Sequence, residues 1–510
     1  MEVAVVGGGF SGIGACAALR RAGIEDFLLI EAGDGVGGAW HWNRYPGIAV
    51  DIPSFSYQFS YAQRPDWSRV YAPGDELKAY AEHCVDTFGL RSRLRLNTEI
   101  VRAEWDEDDH VWRLTADGGD TIVARHVIGA TGVLTKPKPP DIPGLDAFTG
   151  VKMHTARWDH SVDLRGKRVA LIGTGASAVQ VVPSIAPVVE SLTVFQRTPI
   201  WCLPKLDGPM PRALRAAMRR VPGARWAMRG ISQAYVEITF PLAAHYATII
   251  PIAKATKGLA LKHLERSVHD PVVRDKLTPR YDLGCKRPGF SNDYLPTFNR
   301  PNVHLETAPI ARFTETGVET ADGESGPFDV LILATGFKVF EKGNIPAYPV
   351  RGAGGADLAE YFDRKRFQAY QGVSVPGFPN MYAILGPYGY NGASYFTLIE
   401  NQSRHIVRCL RHARKVGATR VEVTQEANDR YFSEMLSRRH RQVFFQGGCD
   451  GARSYYFDAH GDVPFRASPT LEVMWRSARF DLGDYSFSGR NGAAAGVDED
   501  LRVPVRVAEG

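Results

Sequence analysis

Among 510 residues there are only six cysteines, at positions 16, 84, 202, 285, 409 and 449, and no two stand close together. That spacing excludes a C-x-x-C redox pair and a zinc-type ligand pattern, so no metal is expected. The six are expected to be buried small hydrophobes in a reducing cytosol. Long apolar runs are missing too. The richest stretch, 238–253, is interrupted by Pro241, His245 and Pro251, which excludes a membrane span there. No segment carries a dense basic stripe, and a net charge of +5 is too small to argue for nucleic acid. The first six residues, Met1-Glu2-Val3-Ala4-Val5-Val6, already read as a core strand and leave no room for a signal peptide. These absences point to a soluble cytoplasmic protein. Oligomeric state is not legible.

What is present is ordinary globular material, 44% hydrophobic and 23% charged, enough for about three domains by length. The chain opens on a strand, then Gly7-x-Gly9-x-x-Gly12, an Ala-rich helix and a second strand, Phe27 to Ile30, ending at Glu31. Gly7 makes the tight turn, Gly9 lets a pyrophosphate approach the backbone, and Gly12 lets helix and strand pack closely. The helix N-terminus faces the phosphates and Glu31 accepts from ribose hydroxyls. The pattern returns as Val169–Ile172, then Gly173-x-Gly175-x-x-Ala178, with Ser177 in the same turn. Laid on the first unit without a gap, the second places Arg197 on Glu31. A carboxylate suits an unphosphorylated ribose, whereas an arginine, helped by the Thr198 hydroxyl, suits a 2′-phosphate. The first site is therefore expected to take FAD and the second NADPH.

Each unit closes on an apolar strand running into Ala-Thr-Gly, with Thr131 and Gly132 in the first and Thr335 and Gly336 in the second. Short alternating strands, Glu99 to Trp105, Val111 to Ala116 and Thr121 to Val127, with a weaker set near Ala311 to Thr320, predict a β-meander in each. Residues 205–280 predict a helical insert. Its piece "PRALRAAMRRVPGARWAMRG" has six arginines and no acid; a solvated helix face is the expected reading, a membrane-surface role the alternative. The fold expected is α/β: two Rossmann-like dinucleotide-binding domains with β-meander insertions. The FAD domain covers 1–147 and 340–485, the NADPH domain 148–339, and 486–510 is an irregular tail. Gly386 lies in a turn before a helix start that would face the flavin.

Between the two units lies "AFTGVKMHTARWDH", where a plain linker would suffice. It carries Phe148-x-Gly150-x-x-x-His154-x-x-x-Trp158-Asp159, which resembles the fingerprint of Baeyer–Villiger monooxygenases at every fixed position. A second pattern similar to that family is complete: Gly38-x-Trp40, Tyr45-Pro46-Gly47 and Asp51. The segment around Lys286 and Arg287 also resembles it. The resemblance implies that NADPH reduces FAD, and that dioxygen then forms a C4a-peroxyflavin which converts a small ketone to an ester or lactone. It implies that Arg287 stabilises the anionic peroxide, that Asp51 holds Arg287, and that Lys286 reaches the 2′-phosphate with Arg197. His154 is expected to position rather than to donate protons. Tyr455 stands where many relatives have a Trp in a C-terminal control loop. Two alternatives stand beside this reading: a flavin monooxygenase acting on nitrogen or sulfur, and a non-oxygenating flavin redox sensor.

Overall fold

The computed structural model describes residues 1–247, 252–323 and 325–490. Val3–Val6 is buried along its whole length, as a strand covered on both faces must be, and it lies at the centre of a five-stranded parallel sheet. The order is Met381–Ala383, His126–Gly129, Val3–Val6, Phe27–Ile30, Leu94–Arg95. The helix Phe10–Arg21 begins directly after Gly9 and packs on the long helix Tyr395–Val416. A chain segment far from the N-terminus thus completes the first unit.

The second unit repeats the plan. Its parallel sheet runs Val303–Glu306, Ser191–Phe195, Arg168–Ile172, Val330–Leu333, Val151–His154. In both sheets the strand before the glycine turn is central, flanked on one side by the strand that enters Ala-Thr-Gly. On the other side the register differs by one residue from the ungapped alignment. Val6 pairs with Ile30 and Ile172 with Phe195, so Glu31 corresponds to Gln196, not Arg197. The same holds one strand further out, where Glu31 N–H donates to the Arg95 carbonyl and Gln196 N–H to that of Glu306. The connection into this strand is one residue shorter in the second unit. Arg197 follows the equivalent position, and a neutral glutamine occupies it.

Three further expectations are corrected. The run Thr121 to Val127 is two strands: Thr121–Ala124 belongs to the meander with Ile100–Asp106 and Val111–Ala116, and after Arg125 the strand His126–Gly129 enters the main sheet. The tail is not irregular from 486. Tyr485–Ser488 pairs antiparallel with Arg420–Val423 and buries Tyr485 and Phe487, a four-residue alternation too short to stand out in sequence. Residues 491–510 lie outside the described residues. The cysteines are not all free: Cys285 and Cys449 form a disulfide with Cα atoms 5.3 Å apart, across 164 residues of sequence. Sequence spacing hides that proximity. Cys16, Cys84, Cys202 and Cys409 are buried and free.

The helical insert contains Arg212–Arg220, Ala224–Glu237, Ile252–Ser267 and Pro271–Lys276. Its arginines do not form one solvated face. Arg229 is buried against the first unit, donating to the Gln58 carbonyl at 2.6 Å and lying 3.9 Å from Glu400. Among the described residues no helix is long and apolar enough to cross a membrane. The apolar stretch 238–253 falls partly outside them.

Candidate active site

The two glycine turns are built alike. Gly7 and Gly173 have φ of 116° and 113°, a region that side chains rarely adopt. A Cβ on Gly7 would stand 2.5 Å from the Ala130 carbonyl oxygen, and one on Gly173 2.5 Å from that of Ala334. Each Ala-Thr-Gly phrase therefore closes against its own glycine turn, leaving backbone free to line a nucleotide. Gly9 meets Gly38 across the first turn: a Cβ on Gly38 (φ 55°) would lie 3.0 Å from the Gly9 Cα. Gly12 is pressed against the Gly7 carbonyl and Leu29, and Ala178 is fully buried at the matching place. These cradles and their donor N–H groups fit dinucleotide phosphates. The Glu31 carboxylate is oriented by N–H donation from Gly8 at 2.6 Å and Gly33 at 2.8 Å.

Both turns open into one cavity of about 1970 Å³. Gly7, Gly9, Glu31, Gly38, Trp40, Asp51, Thr131, Gly132 and Gly386 line it from the first unit. Gly173, Gly175, Ser177, Arg197, Thr198, Lys286 and Arg287 line it from the second. Gly12 works from behind. None of the five fingerprint residues reaches the cavity.

The fingerprint instead builds an edge strand and its anchors. Val151–His154 pairs parallel with Val330–Leu333, so the stretch is part of the second sheet and not a linker. Phe148 is 2% exposed and packs among Ala170, Ile172, Phe313, Leu331 and Leu333, inside the second unit. A Cβ on Gly150 would lie 2.6 Å from the Phe148 ring and 2.7 Å from the Asp329 carbonyl, so Gly is required there. His154 Nδ1 accepts from Ala156 N–H at 3.0 Å, leaving the proton on Nε2, 3.3 Å from the Thr335 hydroxyl. Burial, and then Arg157, lower its pKa to about 4, so it is neutral near pH 7. Trp158 is half-buried on the second unit's core, and Asp159 accepts from Ser161 to close an exposed turn.

Asp51 and Arg287, 236 residues apart, form a bidentate pair: Nε to Oδ2 at 2.5 Å and Nη2 to Oδ1 at 2.8 Å. Their side chains are 31% and 21% exposed. Burial pushes the Asp51 carboxyl up, but the Arg287 charge and hydrogen bonds outweigh it and hold the carboxyl below its ordinary value. Burial likewise weakens Arg287, and Asp51 more than restores its charge. Arg287 Nη1 lies 3.5 Å from the Tyr390 hydroxyl, and its guanidinium carbon sits 5.9 Å from the centre of the Phe240 ring. A fixed cation thus faces the cavity within an aromatic wall.

Arg197, Thr198 and Lys286 meet on the second unit's side of the cavity. Burial, then Arg197 and Arg453, lower the Lys286 pKa to about 8. Arg453 and Tyr390 were not singled out in the sequence because both come from loops of the C-terminal segment; the "RSYYF" run draws attention to Tyr455, which also lines the cavity. Also unforeseen is a seam between the units: the Tyr45 hydroxyl donates to Gln180 Oε1 at 3.1 Å, and Gln180 Nε2 donates to the Ala49 carbonyl at 2.9 Å. Among the described residues no cluster of His, Cys, Asp and Glu could hold a metal ion.

Residues 4–205 match the family model described as "Pyridine nucleotide-disulphide oxidoreductase". A Baeyer–Villiger monooxygenase of Streptomyces coelicolor is 39% identical over 493 residues, 95% of this chain and 92% of that protein. One of Pseudomonas aeruginosa is 36% identical over 461 residues, 89% of this chain and 85% of that protein. The crystal structure of OTEMO complexed with FAD and NADP superimposes with a TM-score of 0.86 at 28% identity, covering 96% of this chain and 99% of that one. These likenesses favour the ester-forming reading over the nitrogen- or sulfur-oxygenating and redox-sensor alternatives. With two glycine cradles opening on one cavity, a guanidinium facing it and relatives so named along almost its whole length, the chain belongs to the Baeyer–Villiger monooxygenase family.

Proposed function

We propose that the first cradle holds FAD, the second holds NADPH, and Arg287, fixed by Asp51, is the catalytic cation for inserting one oxygen atom of dioxygen beside the carbonyl of a small ketone. The observation that carries this reading is the bidentate Asp51–Arg287 pair on the wall of a cavity lined by both cradles. FAD held at Gly7, Gly9 and Glu31 would supply the hydride-accepting and dioxygen-activating chemistry, with NADPH at Gly173 and Gly175 as the hydride source.

The chain's own contribution is electrostatic. A guanidinium stays charged at any working pH. Held rigidly in a partly dry cavity, it favours negative charge on the attacking oxygen and then on the ketone oxygen, with no reorganisation at the moment of reaction. Asp51 fixes the fork and leaves Nη1 toward Tyr390 and the cavity. The aromatic side chains around it, Phe240, Tyr390, Tyr455 and Phe465, give the cation an apolar lining. On the other side Arg197, Thr198 and Lys286 bind the 2′-phosphate. The neutral Gln196 at the place of Glu31 removes a carboxylate that would repel it.

Arg287→Ala tests the assignment. The purified variant is expected to bind FAD and accept hydride from NADPH, yet to form no ester and to release hydrogen peroxide instead. Ester yield equal to that of the unaltered protein overturns the role given to Arg287.

A further inference from the structure

The disulfide Cys285–Cys449 joins two segments with one task in common. Cys285 immediately precedes Lys286 and Arg287. Cys449 begins the turn Cys449-Asp450-Gly451-Ala452-Arg453 that leads into the C-terminal loop. The turn is docked by more than the disulfide. Asp282 N–H donates to the Gly448 carbonyl at 2.8 Å, while within the turn itself Ala452 N–H donates to the Cys449 carbonyl at 3.0 Å. Ala452 is fully buried among Trp201, Tyr281 and Cys285.

The result is to bring Arg453 to the wall of the cavity shared with Arg197, Thr198 and Lys286. Arg453 is exposed and sits at φ 49°, a left-handed backbone uncommon for a residue other than glycine and one that persists where the surroundings impose it. The charges that bear on Lys286 are Arg197 and Arg453, and the charge that bears on Arg197 is Arg453, all positive. None of the three has an ion-pair partner among the described residues. Three uncompensated cations at one place repel one another, and a doubly charged phosphate would relieve them, with arginine forks matched to its oxygens.

We propose that Arg453 is a third recognition residue for the 2′-phosphate of NADPH, delivered by the C-terminal loop and held there by the Cys285–Cys449 disulfide. Selection of NADPH over NADH is then tied to the position of that loop, because Arg453 and Tyr455, which also lines the cavity, lie two positions apart on it. This inference rests on the assignment of Arg197 and Lys286 to the phosphate under the proposed function.

The test measures KM for NADPH and for NADH in flavin reduction by the full-length FAD-loaded protein and three variants. Arg453→Ala is expected to raise KM for NADPH roughly tenfold, the loss of one charge-assisted contact, and to move KM for NADH less than about twofold. Arg197→Ala serves as the reference. If it spares the NADPH preference, the phosphate assignment itself is wrong. If it abolishes the preference while Arg453→Ala shifts both cofactors equally or neither, only the present inference is overturned. Cys449→Ser reads the tether: a smaller rise confined to NADPH supports it, and an unchanged NADPH-to-NADH ratio removes the disulfide from the proposal. Peptide mapping without reductant should recover Cys285 and Cys449 as one linked pair; two separate thiols in the active protein also removes it.

Discussion

Asp51 grips Arg287 by two hydrogen bonds, so the role proposed for the cation depends on its carboxylate partner. Removing one partner leaves the other partly buried charge unsatisfied, a cost of about 1–3 kcal/mol. Asp51→Asn keeps the shape of the carboxylate but not its charge. It should lower ester yield and raise peroxide release while leaving the rate of flavin reduction by NADPH within about threefold. A coupled oxygen-consumption and ester assay checks this; full coupling would show that Arg287 needs no counter-ion. Lys286 gives a pH dependence. Its pKa is lowered to about 8, so the free protein loses this cation as pH rises through that value. KM for NADPH should therefore climb between pH 7 and pH 9 while KM for NADH stays flat. A flat NADPH profile would separate Lys286 from the phosphate.

At the level of elements, the glycine turns and the edge strand of the second sheet make different demands. Gly7→Ala forces a side chain onto the Ala130 carbonyl at a φ of 116° and should give a protein that no longer retains FAD. Gly173→Ala should stay yellow but lose NADPH-driven reduction, since its collision, with the Ala334 carbonyl, lies wholly within the second unit. Absorption spectra after gel filtration distinguish the two; loss of FAD from both would show that the units are not independent cradles. Gly150→Ala tests the fingerprint as packing. The added methyl meets Phe148 and the Asp329 carbonyl, and overpacking of this kind costs about 1–3 kcal/mol. Thermal unfolding should shift down by several degrees, with KM for NADPH little changed in the folded fraction. The reverse pattern would make the fingerprint part of the site.

The whole molecule carries a pH signature as well. His126, His154 and His245 are held neutral, mainly by burial, with pKa values lowered to about 3, 4 and 4. In the unfolded chain the same rings take up protons near pH 6.5. Between about pH 6.5 and 4 the unfolded state binds more protons than the folded one, so stability must fall as pH falls through that window. Urea unfolding at pH 7.5 and pH 5 should show the midpoint dropping. His154→Gln should shrink the drop, because glutamine does not titrate; an unchanged pH slope in that variant would mean that His154 is not buried as a neutral ring. At this scale the seam Tyr45–Gln180–Ala49 also matters, because it fixes the first unit's Tyr-Pro-Gly segment on the second unit's helix Ala176–Ile185 and so sets how the two cradles face each other.

What the sequence determined by itself is local and repetitive. Gly7 and Gly173, the flanking buried strands and the two Ala-Thr-Gly phrases were legible because a glycine turn, an apolar run and a helix start are properties of adjacent residues. The motif Phe148 to Asp159 was legible as a pattern but not as a strand edge, since its partner strand lies near residue 330. The equivalence of Glu31 with Gln196 rather than Arg197 was decided by strand pairing, which a one-residue change in an intervening connection shifts without a mark in the glycine motif. Only the tertiary structure decided that Cys285 meets Cys449, that Arg453 joins Arg197 and Lys286, and that Tyr390 stands beside Arg287. Those meetings depend on how loops from distant parts of the chain close over one cavity, and no periodicity of neighbouring side chains records where a loop will end in space.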